Sequence, residues 1–250
     1  MSENTPTNVT TECGVSTSKM DSRDQTAIWR HFQTYDSGVF DRNKPRLDAL
    51  FRETRSHCER IGGALVVNVG PGNGNLEDRC RTAGLNVVSI DPDAATVRMM
   101  QTRGHQAHAA YLDGLPFADE SVHCLVASEV LEHIPPEAFA SSLAEVRRVL
   151  APGGLFIGTV PNDERLEDNL VVCPHCTEQF HRWGHQQSFD AATLRQHLDQ
   201  VGQVERVRVQ SFIDWSRRSP IGLAKTLLRW VLGSLGLTVA SPNLRFTVRC

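Results

Sequence analysis

The chain has 250 residues, of which 40% are hydrophobic and 22% charged, with a formal net charge of -3. That length and composition fit one folded core with appendages and exclude a low-complexity or fibrous chain. The near-balanced charge gives no general basis for binding nucleic acid, and without a signal-like or membrane-spanning apolar run a cytoplasmic protein is expected.

Residues 1–24 are rich in Ser, Thr, Asn and charge and read as a disordered leader. Residues 25–63 read as a helical cap. Its aromatic cluster of Ile28, Trp29, Phe32, Tyr35, Val39 and Phe40 is expected to pack at the domain edge rather than to lid a cleft, and a helix is predicted from Pro45 to Ile61 before Gly62-Gly63. Val66-Val-Asn-Val-Gly-Pro-Gly-Asn-Gly-Asn-Leu76 then reads as a buried strand, a tight turn through Gly70, Gly72 and Gly74, and the start of a helix. Such a turn brings the backbone close to a ligand at a helix N-terminus, which suits a nucleotide-like cofactor.

A second strand, Val87-Val-Ser-Ile-Asp91, ends in a carboxylate placed to accept hydrogen bonds from a ribose diol. The turn is Gly-x-Gly-x-Gly, with Asn75 where a dinucleotide fingerprint has its third glycine, which favours S-adenosylmethionine over a nicotinamide dinucleotide. A helix over Ala94 to Arg103, a strand from Gln106 to Tyr111 and a strand from His123 to Ala127 follow, the last running into Ser128-Glu-Val-Leu-Glu-His133. Ligands of open parallel sheets lie beyond the carboxy ends of the strands, so Glu129 is expected to face a substrate. A helix from Pro136 to Leu150, a stop at Ala151-Pro-Gly-Gly154 and a strand from Leu155 to Val160 complete the alternation. It implies an α/β fold with a doubly wound, mostly parallel sheet.

In order and spacing, Val69-Gly-Pro-Gly-Asn-Gly74, Ile90-Asp91, Leu115-Pro-Phe117, Glu129-Val-Leu-Glu-His133 and Leu150-Ala-Pro-Gly-Gly154 resemble the class I S-adenosylmethionine-dependent methyltransferases, in particular the type 11 group. The resemblance is strong from Ala64 to Val160 and looser beyond. It implies a Rossmann-like methyltransferase fold over residues 64–250 that ends in an antiparallel strand pair, Val204 to Ile213 with Asn243 to Arg249. It also implies that Gly70, Gly72 and Gly74 admit the methionine and ribose parts of the cofactor, that Asp91 binds the ribose hydroxyls, and that Pro92 and Leu112 border the adenine. Glu129, His133 and His185 become the acceptor-side, catalytic candidates. The chain departs from the family at Asn68, a cofactor-binding candidate where an acid is usual beside the cofactor's ammonium group, and at Tyr111, where another acid is usual. Asp113, two places further on, is the nearby carboxylate for adenine. His123, in place of a common Asp, reads as structural.

Seven scattered cysteines do not form a secreted disulfide framework, and Cys58, Cys80 and Cys124 read as small buried hydrophobes. Cys173-Pro-His-Cys176, with His181 and His185 close behind, has the composition of a zinc knuckle with Cys173, Cys176 and His181 as ligands and His175 or His185 as the fourth. Two other readings stand beside it. One is a loop of reduced thiols; the other uses His181 or His185 as a general base. A helix from Phe189 to Val201 follows this 171–187 segment.

Within a helical insertion over 216–241, residues 221–237 carry polar or small residues on one narrow helical stripe, which suits a pocket cover, a dimer contact or a peripheral membrane contact. From Val204 onward there are eight Lys or Arg against Glu205 and Asp214, which points to a small anionic, glycan-type or carrier-linked acceptor and not to nucleic acid. Two other function classes share part of the pattern. A nicotinamide-dependent oxidoreductase accounts for the turn and Asp91 but not for the Leu-Pro-Phe and Pro-Gly-Gly motifs, and a zinc-bearing, non-catalytic scaffold accounts for Asn68 and Tyr111.

Overall fold

Burial alternates along the central strands because successive side chains point to opposite faces of a sheet. On one face Val67, Val69, Leu125, Ala127 and Phe156 join a cluster with Phe139, Leu143, Leu194 and Leu198; on the other, Val66, Cys124, Val126, Leu155 and Ile157 join Leu50, Cys58, Leu76 and Cys80. Both faces are therefore covered by helices, and the apolar runs of the sequence are strands with no wet side.

The computed structural model describes residues 22–35, 44–212 and 243–250. The leader up to residue 21, Val39, Phe40 and the 216–241 insertion with its 221–237 stripe lie outside them. The described elements are α1 (Ser22–Tyr35), α2 (Lys44–Ile61), β1 (Leu65–Val69), α3 (Asn75–Thr82), β2 (Asn86–Asp91), α4 (Ala94–Thr102), β3 (Gln106–Ala109), β4 (Val122–Ser128), α5 (Pro136–Val149), β5 (Leu150–Pro161), β6 (Leu170–Val172), β7 (Gln179–His181), α6 (Ala191–Leu198), β8 (Gln203–Gln210) and β9 (Asn243–Arg249). The main sheet has the order β3-β2-β1-β4-β5-β9-β8. Its first five strands are parallel, and β9 runs antiparallel to both β5 and β8, as expected for the terminal pair. Phe156 of β5 meets Phe246 of β9 edge to face at 4.9 Å, which fastens the antiparallel end to the core. Cys58, Cys80 and Cys124 are buried, 2% exposed or less, as their apolar settings predict.

Several boundaries differ from expectation: β3 ends at Ala109 rather than Tyr111, α6 is shorter than Phe189 to Val201, β8 ends at Gln210 rather than Ile213, and two further differences lie at α1 and β5. Helix α1 begins at Ser22, inside the stretch read as a leader. Strand β5 begins at Leu150, not Leu155, because Ala151-Pro-Gly-Gly154 stays extended: Leu150 pairs with Val122, and Cys250 exchanges backbone bonds with Gly153 and Gly154. His123, which opens β4 beside Val122, accepts the Leu65 N–H at its Nδ1 (3.1 Å) and so ties β1 to β4.

Candidate active site

The carboxy ends of β1, β2, β4 and β5 form one rim, and the sequence motifs are arranged along it. The turn after β1 is closed by the Gly74 N–H donating to the Pro71 carbonyl (2.9 Å), while the Gly70 N–H reaches Ile90 of β2 (2.9 Å). Gly70, Gly72 and Gly74 all adopt positive φ, at 69°, 55° and 75°. A Cβ at Gly70 would lie 3.0 Å from Val130, and one at Gly74 would lie 3.0 Å from Arg103 and 3.2 Å from Met100, so a side chain there would press on its neighbours as well as strain the backbone.

Beneath the turn lies a buried polar triad that sequence reasoning missed. The Asn68 amide and the Ser89 hydroxyl each donate to the same Glu77 oxygen, both at 2.7 Å. Burial pushes the Glu77 carboxyl up, against the two hydrogen bonds that favour its charged form. The acid absent from position 68 is thus carried one helical turn into α3, and the Asn68 amide is committed to Glu77. The signal was an acid at Glu77 on the apolar side of a short helix, next to Leu76.

At the end of β2, Asp91 accepts the Asp93 N–H at 2.8 Å, and no cation pairs with it among the described residues. Burial pushes its carboxyl up to about 7. Asp93 opposes its own burial with bonds from Arg30 (2.7 Å) and the Thr96 N–H (2.9 Å), which hold its carboxyl below the usual range and cap α4. Pro92 and Asp113 are exposed, and Leu112 is buried in the main core. The Leu-Pro-Phe loop is clamped to α5: Glu145 accepts the Leu115 N–H (2.8 Å), and Arg148 donates to the Leu115 and Phe117 carbonyls (3.3 and 3.0 Å).

Helix α1 does not pack at the domain edge as expected but crosses this rim. Gln33 donates to the Gly72 carbonyl (3.0 Å), Arg30 holds Asp93, Trp29 sits edge-on to His133 (4.7 Å) and Phe32 stacks on Trp183 (4.9 Å). Its aromatic residues find their apolar contacts on the loops after the strands.

Glu129, after β4, has φ 57°, a strained conformation for a residue with a Cβ. Its carboxylate accepts both 3.0 Å bonds from Asn243 and pairs with Arg46 at 3.3 Å. His133 and His185 come together with ring centroids 4.7 Å apart, and His181 stacks on His185 at 4.5 Å. Burial, then the nearby His185, pushes His133 down to about 3, too low for a base working near neutral pH. Glu164, missed in the sequence, meets both His185 and His181; against burial, these bonds hold it down to about 2. Glu132, also missed, is 1% exposed, and burial followed by the charge of Glu129 raises its carboxyl well above the ordinary range.

The cysteines do not join this cluster, which corrects the expected ligand set of Cys173, Cys176 and His181. Strands β6 and β7 pair Val172 with Gln179 and Leu170 with His181, so the Cys-x-x-Cys turn is at the hairpin tip and His181 at its base. Among the described residues, the groups able to surround a metal are Glu132–His133–His185 and Glu164–His181–His185. Backbone bonds from Cys176 and His175 lower the Cys173 thiol.

Residues 67–158 match the family model described as a methyltransferase domain. A Mycolicibacterium smegmatis protein named as a probable S-adenosylmethionine-dependent methyltransferase is 33% identical over 107 residues, 42% of this chain and 41% of that protein. An uncharacterized methyltransferase of Mycobacterium avium is 33% identical over 116 residues, 44% of each chain, so the matched region spans about two fifths of the length of these curated relatives. Among solved structures, an S-adenosylmethionine-dependent methyltransferase from Mesorhizobium loti aligns at TM-score 0.57, 17% identity, over 83% of this chain and 97% of that one. A chain from the complex between the Haloferax volcanii Trm112 methyltransferase activator and a methyltransferase aligns at TM-score 0.63, 18% identity, over 92% and 97%. At these identities the structures speak for the fold. Residues 67–158 thus match a methyltransferase domain of the type 11 kind, and the fold around them is that of S-adenosylmethionine-dependent methyltransferases, with the motifs in order along the rim.

Proposed function

We propose that the protein transfers the methyl group of S-adenosylmethionine to a small-molecule, sugar or carrier-linked acceptor. The observation that carries this reading is the pairing of a turn whose three glycines adopt positive φ and, beside it, a buried carboxylate at the end of β2 that pairs with no cation among the described residues. Those residues fit the cofactor: Gly70, Gly72 and Gly74 would admit its methionine and ribose portions, and Asp91 would take the two ribose hydroxyl donors. When bound, the cofactor supplies a methyl group already activated by its sulfonium. The chain's own part is then to align and to exclude water. Helix α1 covers the rim, Arg148 fixes the Leu-Pro-Phe loop, and Glu129, His133 and His185 line the acceptor side. A small acceptor, rather than nucleic acid, is supported by the pairing of three of the four described cations at the carboxy-terminal end: Arg206 and Arg245 pair with Glu53, and Arg249 with Glu205, while Arg208 donates to Gln210.

Calorimetric titration with S-adenosylmethionine, with S-adenosylhomocysteine and with NAD tests the reading. Asp91→Ala is expected to weaken S-adenosylmethionine binding by roughly 1.5 to 3 kcal/mol, the range for a lost hydrogen bond to a charged group. Unchanged affinity in the variant, or preferential binding of NAD by the wild type, would sink the assignment.

A further inference from the structure

Five side chains meet at the rim next to α1, and their bonding separates them into an inner and an outer set. His133 donates from Nδ1 to the Gly184 carbonyl (3.1 Å), so its Nε2 carries a lone pair, and that atom is buried without a hydrogen-bond partner. His181 accepts at Nδ1 from the N–H groups of His185 (3.1 Å) and Trp183 (3.4 Å), which leaves its proton on Nε2, 3.5 Å from Glu164. Glu164 also takes the Nδ1 proton of His185, so the second nitrogen of His185 carries a lone pair. Glu164 is thus engaged by the His185 N–H, with the His181 Nε2, which has no hydrogen-bond partner, at ion-pair distance beside it. Glu132 differs: it is 1% exposed, and neither of its carboxylate oxygens has a hydrogen-bond partner.

An unpartnered buried carboxylate, a buried imidazole lone pair on His133 and a second lone pair on the half-buried His185 are what a cation needs. One ligand atom from each of Glu132, His133 and His185 lies within 4.8 Å of the others. We propose that Glu132, His133 and His185 bind one divalent first-row transition-metal ion, with the Gly184 carbonyl and Glu164 orienting the two imidazoles. Mixed imidazole and carboxylate ligation suits zinc, iron, cobalt or manganese, and three protein ligands leave positions open. The outer partners follow the rule that a ligating histidine gives its other N–H to a carbonyl or carboxylate. The backbone pins the set together: the Gln186 and Gln187 N–H groups both donate to the Glu132 carbonyl (2.7 and 3.2 Å), which fixes the His185 loop against the turn after β4. In use, the inference rests on the proposed methyl transfer and deepens its acceptor side, where His185 becomes a ligand instead of a base.

The test is equilibrium dialysis of the full chain, freed of metal by a chelator, against Co²⁺ and against Zn²⁺, with elemental analysis and visible spectra. The expected result is about one ion per chain, with the cobalt spectrum of nitrogen and oxygen ligands and no sulfur-to-cobalt charge-transfer band. Glu132→Gln and His185→Ala should each weaken binding at least tenfold, and Glu164→Gln, which acts through His185, by about 10- to 100-fold. The double variant Cys173→Ser with Cys176→Ser should bind as the wild type does. S-adenosylhomocysteine affinity, measured on the same samples, reports that each variant is folded and keeps the two readings apart. A wild type that binds S-adenosylhomocysteine but no metal overturns this inference and leaves the proposed function standing; one that binds metal but no S-adenosylhomocysteine does the reverse. Metal binding that survives in Glu132→Gln, or that disappears with the cysteines, also overturns it.

Discussion

The Asp91→Asn protein is expected to be more stable than the wild type at about pH 8, by on the order of 2 to 4 kcal/mol, and to match it below about pH 4. Burial raises the folded-state pKa of Asp91 from 3.8 to about 7. A raised carboxyl favours the protonated native state: its contribution is fully present below the unfolded pKa and is lost as pH rises through about 7, where the buried group must ionise. Asparagine removes that penalty and can still accept the Asp93 N–H. In a chain of this size the gain at pH 8 corresponds to roughly 5 to 10 °C in melting temperature. The same variant should bind S-adenosylmethionine more weakly, because a neutral amide replaces a charged acceptor. Equal melting temperatures for the two proteins across pH 4 to 8 would contradict the assignment of a buried carboxylate that no described cation pairs at this position.

The second large effect is expected at Asn68. Placing the family's usual acid there, as Asn68→Asp, would set a carboxylate against a Glu77 oxygen now 2.7 Å from the Asn68 amide, in a site where Glu77 has no exposure. One donor is lost and a second acid is buried, a change that costs about 3 to 5 kcal/mol when an internal pair is broken this way. The loss should shrink as pH falls, since a shared proton relieves the repulsion. Adding Glu77→Gln should restore most of the stability by returning an amide and a carboxylate to contact with their positions exchanged. Denaturant titration of the two single variants and the double variant checks this as a cycle. A stable Asn68→Asp protein, or a double variant no better than the single, would show that the two side chains do not share one site.

How much of this was legible depended on whether the controlling contacts were local. The glycine turn, Asp91 and the alternation of strands and helices from Ala64 to Val160 are written in short stretches whose chemistry needs no partner to interpret. The start of β5 was missed because Ala151-Pro-Gly-Gly154 carries the residues of a stop, whereas bonds to Cys250, about a hundred positions away, keep it extended. The same reason hid Glu132 and Glu164. An acid after a strand reads as a solvated surface group until the topology brings 132, 164, 181 and 185 together. Cys173 and Cys176 misled in the opposite direction. Their spacing suits a metal, but the register of β6 and β7 carries His181 away from them, and register is not visible in spacing.

Helix α1 links two equilibria that would otherwise be separate. It touches the glycine turn through Gln33, the end of β2 through Arg30 and the turn after β4 through Trp29. A ligand on the rim that also touches the helix would couple its own binding to the docking of the helix. The charged fastening is weak in water, because the Arg30 side chain is 58% exposed, and its hold declines as salt screens it. By reciprocity, a ligand held more tightly under the docked helix must itself favour docking to the same extent. Amide exchange along α1 would therefore slow on ligand binding by the same factor by which helix docking tightens that ligand, which makes the helix's own backbone a gauge of occupancy.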